Sequence, residues 1–582
     1  MKLKKLIFLA TLTIFIGLGA CNKFNDQLNS LLNNPSTPNP SAASVDLYLN
    51  NLQLSFASFY QQASDLSDGL VRQELMYGPL YYNAFAPTSY DGIWNTAYTS
   101  IFLTANTMVP LAEQKGEYEH AAIARILKAY TMVTMVDLFG NIPYSQADLG
   151  TLNTNPVVDS GAAVYDSAVV LLDTAIAELG VASSATPAND EFYGGNAANW
   201  ATLAKTLQLK IYVQTRLVDN TVAAKITNLI NAGDLITSSA QDFQFGYSKH
   251  NAAPDSRAEH YVNNYGTTNG AGDYIGNYFM WCLYQEKPIV DPRIRYYVYR
   301  QIDDATDYSD PRVSNQTTLQ FALACFYRAY PVNYPATPNP TDIGYTSTPY
   351  CIVGQGYWGR DHGNNEGIGP DGALRSTWGV YPAGGAFDND QNVQCGPTTT
   401  SSTESGAGGN GILPIWLSSY TYFLEAEAAL TLATPGDPQA LLLQGVNASF
   451  NKVANFATTI GYTIPTTDTT KTITPTNQQN YVNTVQSIYQ NATGTDAQLN
   501  VIMKEYYLAA WGNGLEAYNN YRRTGKPNNM QPAVTPDPGL FLRSFFYPDG
   551  YVNFNKNAVQ KNILPTTYFP VFWDNNPSNF VY

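Results

Sequence analysis

The chain has 582 residues and a formal net charge of −15, with 31 basic and 46 acidic side chains. This acidic balance argues against a nucleic-acid-binding protein, because phosphate contacts require clustered lysine and arginine. Charged residues make up only 13% of the chain, the same share as Phe, Trp and Tyr together. Aromatic rings with polar tips suit a hydrated surface that contacts sugar faces, although most of the 43 tyrosines are expected to pack between helices.

The first twenty residues have the features of a lipoprotein signal peptide. A lysine-rich start at residues 2–5 precedes the apolar stretch 6–17, which runs into the lipobox Leu18-Gly19-Ala20-Cys21. We expect cleavage before Cys21, whose thiol would accept the lipid that anchors the mature chain to the membrane. No later segment approaches the roughly 18 consecutive apolar residues of a transmembrane helix, so none is expected after residue 20.

After the signal peptide of residues 1–20, residues 21–44 are predicted to form the acylated N-terminus and a flexible, proline-containing tether. Residues 45–582 are predicted to form a single domain. Helical patterns occupy 45–235 and 412–525, and a loop-rich insert at about 240–410 is rich in Gly, Pro, Asn and Tyr. Residues 526–582 are expected to be an irregular C-terminal segment.

Apolar residues recur at helical spacing in nine segments. The predicted helices are Val45–Phe59, Ile93–Glu113, Ala122–Gly140, Ala162–Leu179, Trp200–Asn231, Ile415–Leu432, Leu441–Phe456, Gln479–Asn491 and Ala497–Asn520. Helices of this length that pack side by side indicate a mostly α fold of tetratricopeptide-like hairpins, although no clean 34-residue repeat is present.

Several strings, in this order along the chain, resemble the SusD/RagB family, specifically its SusD-like branch. The strings follow the lipobox, and the resemblance extends over most of the chain. The strings are the helix with Trp94, Tyr98 and Asn106; Val136-Asp137-Leu138-Phe139-Gly140-Asn141-Ile142-Pro143-Tyr144; Asn199-Trp200-Ala201-Thr202-Leu203-Ala204-Lys205; the loop Gly359 to Gly372; and Glu516-Ala517-Tyr518 followed by Tyr521-Arg522-Arg523-Thr524-Gly525 and Pro527.

The resemblance implies a cell-surface lipoprotein of the outer membrane that captures a nutrient and caps a TonB-dependent, SusC-like transporter. Glycans or oligosaccharides are the usual cargo, and peptides are the alternative in the RagB-like branch. The resemblance brings no catalytic residues.

Candidate ligand contacts are aromatic residues on loops beside polar groups, because ring stacking supplies affinity and hydrogen bonds supply orientation. One loop spans 77–85 and offers Tyr81, Tyr82 and Phe85. The insert offers the second set: Trp281, Tyr284, Trp358, Arg360 and Trp378, with Tyr357 and Tyr381 nearby. For each of these residues, packing in the interior is the competing interpretation.

An enzyme is not expected. The four histidines form no H-E-x-x-H motif, and the chain has no G-x-S-x-G or Walker-type loop. A surface glycoside hydrolase would require two carboxylates roughly 5 to 10 Å apart across a cleft, which sequence spacing cannot establish.

Three further features have structural interpretations. Arg522 and Arg523 are expected to pair with a carboxylate such as Glu516, or with a backbone turn, rather than to bind ligand. The loop Asp361–Asp371 carries oxygen ligands that calcium would accept, but an ordinary hydrogen-bonded loop is favoured, and no cofactor is expected.

Of the cysteines after Cys21, Cys351 and Cys395 flank one irregular region, and their connectivity stays open.

Overall fold

The computed structural model describes residues 44–266, 270–303, 354–364, 371–396, 405–533, 535, 537–562 and 569–576. The predicted signal peptide and Cys21 therefore lie outside the described residues, as do Cys325 and Cys351. Within the described part of the chain, no helix combines the length and apolarity needed to cross a membrane.

The N-terminal half consists of helices that pack as antiparallel neighbours. They are α1 (Val45–Asp68), α2 (Tyr81–Ala84), α3 (Asp91–Asn95), α4 (Leu103–Lys115), α5 (Tyr118–Phe139), α6 (Gly161–Leu179), α7 (Ala197–Gln214) and α8 (Val222–Ala232). A π-helical stretch, Thr96–Phe102, joins α3 to α4. Helix α5 is the centre of this half: it packs on α1, α4 and α6, and nearly all of its side chains are buried.

The described parts of the insert form short elements. These are α9 (Glu259–Tyr261), α10 (Asn277–Tyr284) and α11 (Ile294–Tyr297), with strands β1 (Phe243–Gly246), β2 (Val298–Tyr299) and β3 (Thr377–Trp378). Strands β2 and β3 pair antiparallel, with Val298 opposite Trp378. Gly276 lies so close to the backbone that a Cβ would come within 2.1 Å of the Arg72 carbonyl oxygen, and only glycine allows this approach of the insert to the helical body.

The C-terminal half returns to helical hairpins. Strand β4 (Ile412–Trp416) pairs antiparallel with β1 and leads into α12 (Ser418–Leu432), α13 (Pro438–Thr459), α14 (Pro475–Asn491), α15 (Thr495–Ala509), α16 (Gly514–Thr524) and α17 (Asp549–Phe554). The Asp437 side chain caps α13, and a capping box of Thr474 and Asn477 opens α14. Helix α16 packs on α1, which brings the two helical halves together.

The structure confirms the predicted mostly α, tetratricopeptide-like fold, and it corrects three helix boundaries. The segment Trp200–Asn231 is two helices, since the chain turns between Gln214 and Val222. Residues 412–416 form a strand rather than the start of a helix. The segment Ala497–Asn520 is broken at Gly512, whose positive φ of 85° interrupts helical geometry before Asn513 caps α16.

Candidate functional site

Two of the four aromatic residues of loop 77–85 are buried, whereas Tyr77 is 49% exposed. Tyr81 is buried, and its hydroxyl lies 3.2 Å from Arg72 Nη2 and 2.9 Å from His362 Nε2. Phe85 is also buried and packs on Phe545 with ring centroids 5.7 Å apart. Tyr82 is half-buried and is the ring of this loop that remains accessible among the three predicted contacts.

Three predicted contacts in the insert are fully buried. Trp358 lies under the Arg375 guanidinium, 3.9 Å from its ring centroid. Arg360 donates to Asp371 at 2.7 Å. Trp378 stacks on Trp511 at 4.0 Å, and its indole N–H donates to Glu74 at 2.8 Å. A ligand would reach these side chains only after a movement of the surrounding chain, so their role in binding stays a prediction.

Trp281 and Tyr284 differ from these three buried residues because both are half-exposed. They lie three residues apart on α10 and therefore share a face of that helix. Tyr284 lines a cavity of about 650 Å³, opposite Tyr357, whose ring centroid is 5.2 Å away. This volume falls within the range of about 300–1,000 Å³ that is usual for small-molecule sites.

The polar lining of this cavity, which we call the Tyr284 pocket, is organised around one carboxylate. Arg295 Nη1 contacts Asp390 Oδ1 at 2.8 Å, Lys471 Nζ contacts Oδ2 at 2.6 Å, and Arg300 also donates to Asp390. Partial burial would raise the pKa of Asp390, but the hydrogen bonds and charges of Lys471 and Arg295 outweigh it and hold the pKa well below its usual range. Asp390 is therefore a fixed anion.

The pocket also concentrates unusual backbone geometry. Among the described residues, seven other than glycine have positive φ, and three of them line the pocket: Gln355 at 52°, Asp390 at 66° and Asn392 at 54°. Asn and Asp tolerate this region readily, whereas for Gln355 it is costly. Such geometry persists where the surrounding structure imposes it, and it is frequent at binding sites.

The loop Asp361–Asp371, for which calcium was the less favoured alternative, is only partly described, since Glu366 lies outside the described residues. Asp371 contacts both Arg360 and Arg375 at 2.7 Å, and Asp361 accepts from Gln531 at 2.8 Å and from Asn277 at 3.2 Å. These donors occupy the oxygens that a calcium ion would use, which favours the ordinary hydrogen-bonded loop.

Sequence reasoning identified Tyr284 and Tyr357 but missed the charged lining of the pocket. Arg295, Arg300, Asp390 and Lys471 come from segments up to about 180 residues apart, and no local motif links them. The two arginines have the predicted structural role. Arg523 pairs with the Glu427 carboxylate at 2.6 Å, and Arg522 donates to the backbone carbonyls of Asp137 and Arg543 at 2.7 Å. Glu516, the example named from the sequence, binds Lys210 instead.

Two SusD-like family models match different parts of the chain. The model described as "Starch-binding associating with outer membrane" matches residues 38–315, and the model described as "Susd and RagB outer membrane lipoprotein" matches residues 393–564. The chain belongs to the SusD-like family, and it is accordingly an outer-membrane nutrient-binding protein. No protein of curated function matches it in sequence.

Solved structures share the fold over almost the whole chain. A SusD/RagB family protein of Bacteroides thetaiotaomicron has a TM-score of 0.62 at 17% identity, with 92% of this chain and all of that chain covered. A SusD homologue of Bacteroides fragilis has a TM-score of 0.61 at 16% identity, with the same coverage. A chitin-binding SusD homologue of Flavobacterium johnsoniae has a TM-score of 0.55 at 18% identity, with 91% and 99% covered.

Proposed function

We propose that the protein binds a glycan or oligosaccharide at the outer face of the outer membrane, where Cys21 anchors it by lipid, and delivers the ligand to a TonB-dependent, SusC-like transporter. Membership of the SusD-like family supports capture and delivery, and the chitin-binding protein among the structures of similar fold supports a sugar ligand. The observation that carries the proposal is the Tyr284 pocket.

The lining of the pocket suits a largely neutral, hydroxyl-rich ligand. Tyr284 offers a ring for the apolar face of a sugar, and Gln355 and Asn392 offer amides for its hydroxyls. Arg295 and Lys471 already pair with Asp390, and Arg300 pairs with both Asp388 and Asp390. A strongly anionic ligand would have to compete with that carboxylate.

The same arrangement favours binding over hydrolysis. A glycoside hydrolase needs one carboxyl whose pKa is raised, so that it can act as the acid, beside a second that stays ionised. Asp390 is held as an anion by three cations. It therefore cannot serve as the proton donor at neutral pH.

The test is calorimetry on the full chain in detergent, titrated with plant and fungal oligosaccharides, chitin oligomers and a peptide mixture. We expect saturable binding of one glycan class. Tyr284→Ala should weaken it about tenfold, which corresponds to about 1.4 kcal/mol. Trp281→Ala tests whether the ring one turn away extends the same surface.

Tyr118→Ala is the matched control, since Tyr118 is also a half-exposed tyrosine but lies on α5 and does not line the pocket. Unchanged affinity of Tyr284→Ala would place the ligand elsewhere, with Tyr82 as the next candidate. Binding of peptides alone would replace the glycan proposal with the peptide-capturing alternative.

A further inference from the structure

Four carboxylates surround one buried histidine where α1 meets the insert. Asp65 and Asp68 lie on one face of the last turn of α1, Glu74 follows in the next loop, and His260 and Asp273 belong to the insert. We call these five residues the His260 cluster. It lies outside the Tyr284 pocket and shares no residue with it.

The histidine ring is fixed in position on one side. It stacks on Trp378 with centroids 3.7 Å apart and planes 8° apart. Its Nδ1 lies 3.0 Å from Asp273 Oδ2, and the amides of Asn263 and Asn264 both donate to Asp273 at 3.2 Å. A carboxylate held in this way accepts the Nδ1–H proton and orients the imidazole.

The other ring nitrogen faces a hydrogen-bond donor. Gln61 accepts from the Tyr247 hydroxyl through its carbonyl oxygen at 3.1 Å, so its amide nitrogen is the atom that lies 3.3 Å from His260 Nε2. An NH₂ group opposite Nε2 requires an acceptor there. When the imidazole is neutral, its lone pair is thus at Nε2. Burial alone would lower the pKa of His260, but its hydrogen bonds to Asp273 and Asp65 raise the pKa well above its usual value, so a cation that binds Nε2 displaces a proton.

Two carboxylates converge on this lone pair. Asp65 Oδ1 lies 3.4 Å from Nε2 and accepts from the Gln61 amide nitrogen at 2.5 Å, so a bound ion would take the place of that amide. One oxygen of Asp68 completes a group in which the three ligand atoms lie within 4.8 Å of one another. Asp68 is completely buried and its Oδ1 has no hydrogen-bond partner. Its Oδ2 has only a long contact of 3.4 Å with Ser64.

A buried carboxylate oxygen without a partner is costly, and a second carboxylate beside it adds repulsion. A bound cation would remove both costs.

We propose that His260 Nε2 and the carboxylates of Asp65 and Asp68 bind one divalent transition-metal cation, with Zn²⁺ as the best match and Asp273 as the residue that orients the imidazole. One imidazole and two carboxylates, with water as the fourth ligand, form a ligand set that suits Zn²⁺. Calcium is disfavoured, because it takes six to eight oxygen ligands. The Asp65 side chain is 31% exposed, so solvent reaches the edge of the site.

The ion would tie the end of α1 to the segment that carries His260 and Asp273. Trp378, which supports the histidine ring, belongs to β3 of the insert. Metal binding would therefore fasten the insert to the helical body. The site does not depend on which nutrient the protein captures.

The experiment uses the full chain in detergent, without a polyhistidine tag and stripped with EDTA. Calorimetry with ZnCl₂ and metal analysis after gel filtration should give one equivalent of Zn²⁺ and a rise in the unfolding temperature with metal concentration. Asp65→Asn should abolish this binding. Asp273→Asn should weaken it by about 10- to 100-fold, as expected for an orienting partner.

His250→Gln is the control, because His250 is exposed and lies outside the cluster. Circular dichroism checks that each variant is folded. Cobalt(II) added to the unmodified protein provides a measurement that does not depend on a variant, and its visible spectrum should indicate a four-coordinate site. Failure to bind Zn²⁺, a preference for Ca²⁺, or full retention of Zn²⁺ by Asp65→Asn would overturn the proposal.

Discussion

Two glutamates on α12 have opposite electrostatic environments although they are two residues apart. Glu427 is completely buried between Arg523 at 2.6 Å and Arg216 at 2.7 Å. Burial alone would raise the pKa of Glu427, but the charges of the two arginines outweigh it and lower the pKa. Glu425 is 8% exposed, and burial raises its pKa from 4.5 to about 7. The charge of each glutamate is therefore decided by its burial and by the presence of a cationic partner, and not by residue type alone.

Glu425→Gln should increase stability at pH 8 and leave it unchanged near pH 4. The folded protein holds the Glu425 proton more tightly than the unfolded chain, so the free energy of unfolding falls as the pH rises from about 4.5 to about 7. This loss amounts to about 3 kcal/mol at most, since each unit of pKa shift corresponds to about 1.4 kcal/mol. The measurement is chemical denaturation of parent and variant from pH 4 to 8, and a constant difference across this range would contradict the prediction.

At the scale of elements, close contact between paired helices limits which side chains fit. Gly445 of α13 faces Phe423 of α12, and a Cβ at Gly445 would come within 2.8 Å of the Phe423 ring. Both residues are buried. The hairpin depends on this glycine, although glycine itself is a poor helix former.

Gly445→Ala should destabilise the protein by about 1 kcal/mol. Alanine gains up to about 1 kcal/mol from helix propensity, but overpacking a tight contact costs about 1–3 kcal/mol. The free energy of unfolding in urea measures the net effect. Gln444→Ala, at an exposed neighbouring position, is the control and should be close to neutral. A stabilised Gly445→Ala protein would show that Phe423 yields easily.

At the scale of the molecule, a buried asparagine is one of several links between the segments matched by the two family models. Asn513 donates to the Pro414 and Ile415 carbonyls at 3.0 and 2.9 Å, and its Oδ1 accepts from the Glu516 N–H at the start of α16. The Asn513 amide also lies 3.2 Å from the Tyr60 hydroxyl of α1. The first and last long helices are therefore linked to the β4 strand.

We expect a single calorimetric unfolding transition, because the two helical halves share this core. Asn513→Ala should shift the whole transition to lower temperature, since it leaves buried carbonyls without donors. Asn480→Ala, at an exposed position on α14, should leave it in place. Two separate transitions in the parent protein would show that the halves unfold independently.

Local patterns in the sequence were sufficient to predict most of the helices and the family of this protein. Apolar spacing located most of the helices, and the strings around Asp137 and Arg522 indicated the family. Tertiary structure decided which aromatic rings are exposed. Trp358 and Tyr284 look alike in the sequence, yet Trp358 is covered by Arg375 and Tyr284 lines a pocket. The Tyr284 pocket and the His260 cluster were also invisible in sequence, because side-chain periodicity reports only neighbours within a few turns, whereas these sites join residues about 180 or more positions apart.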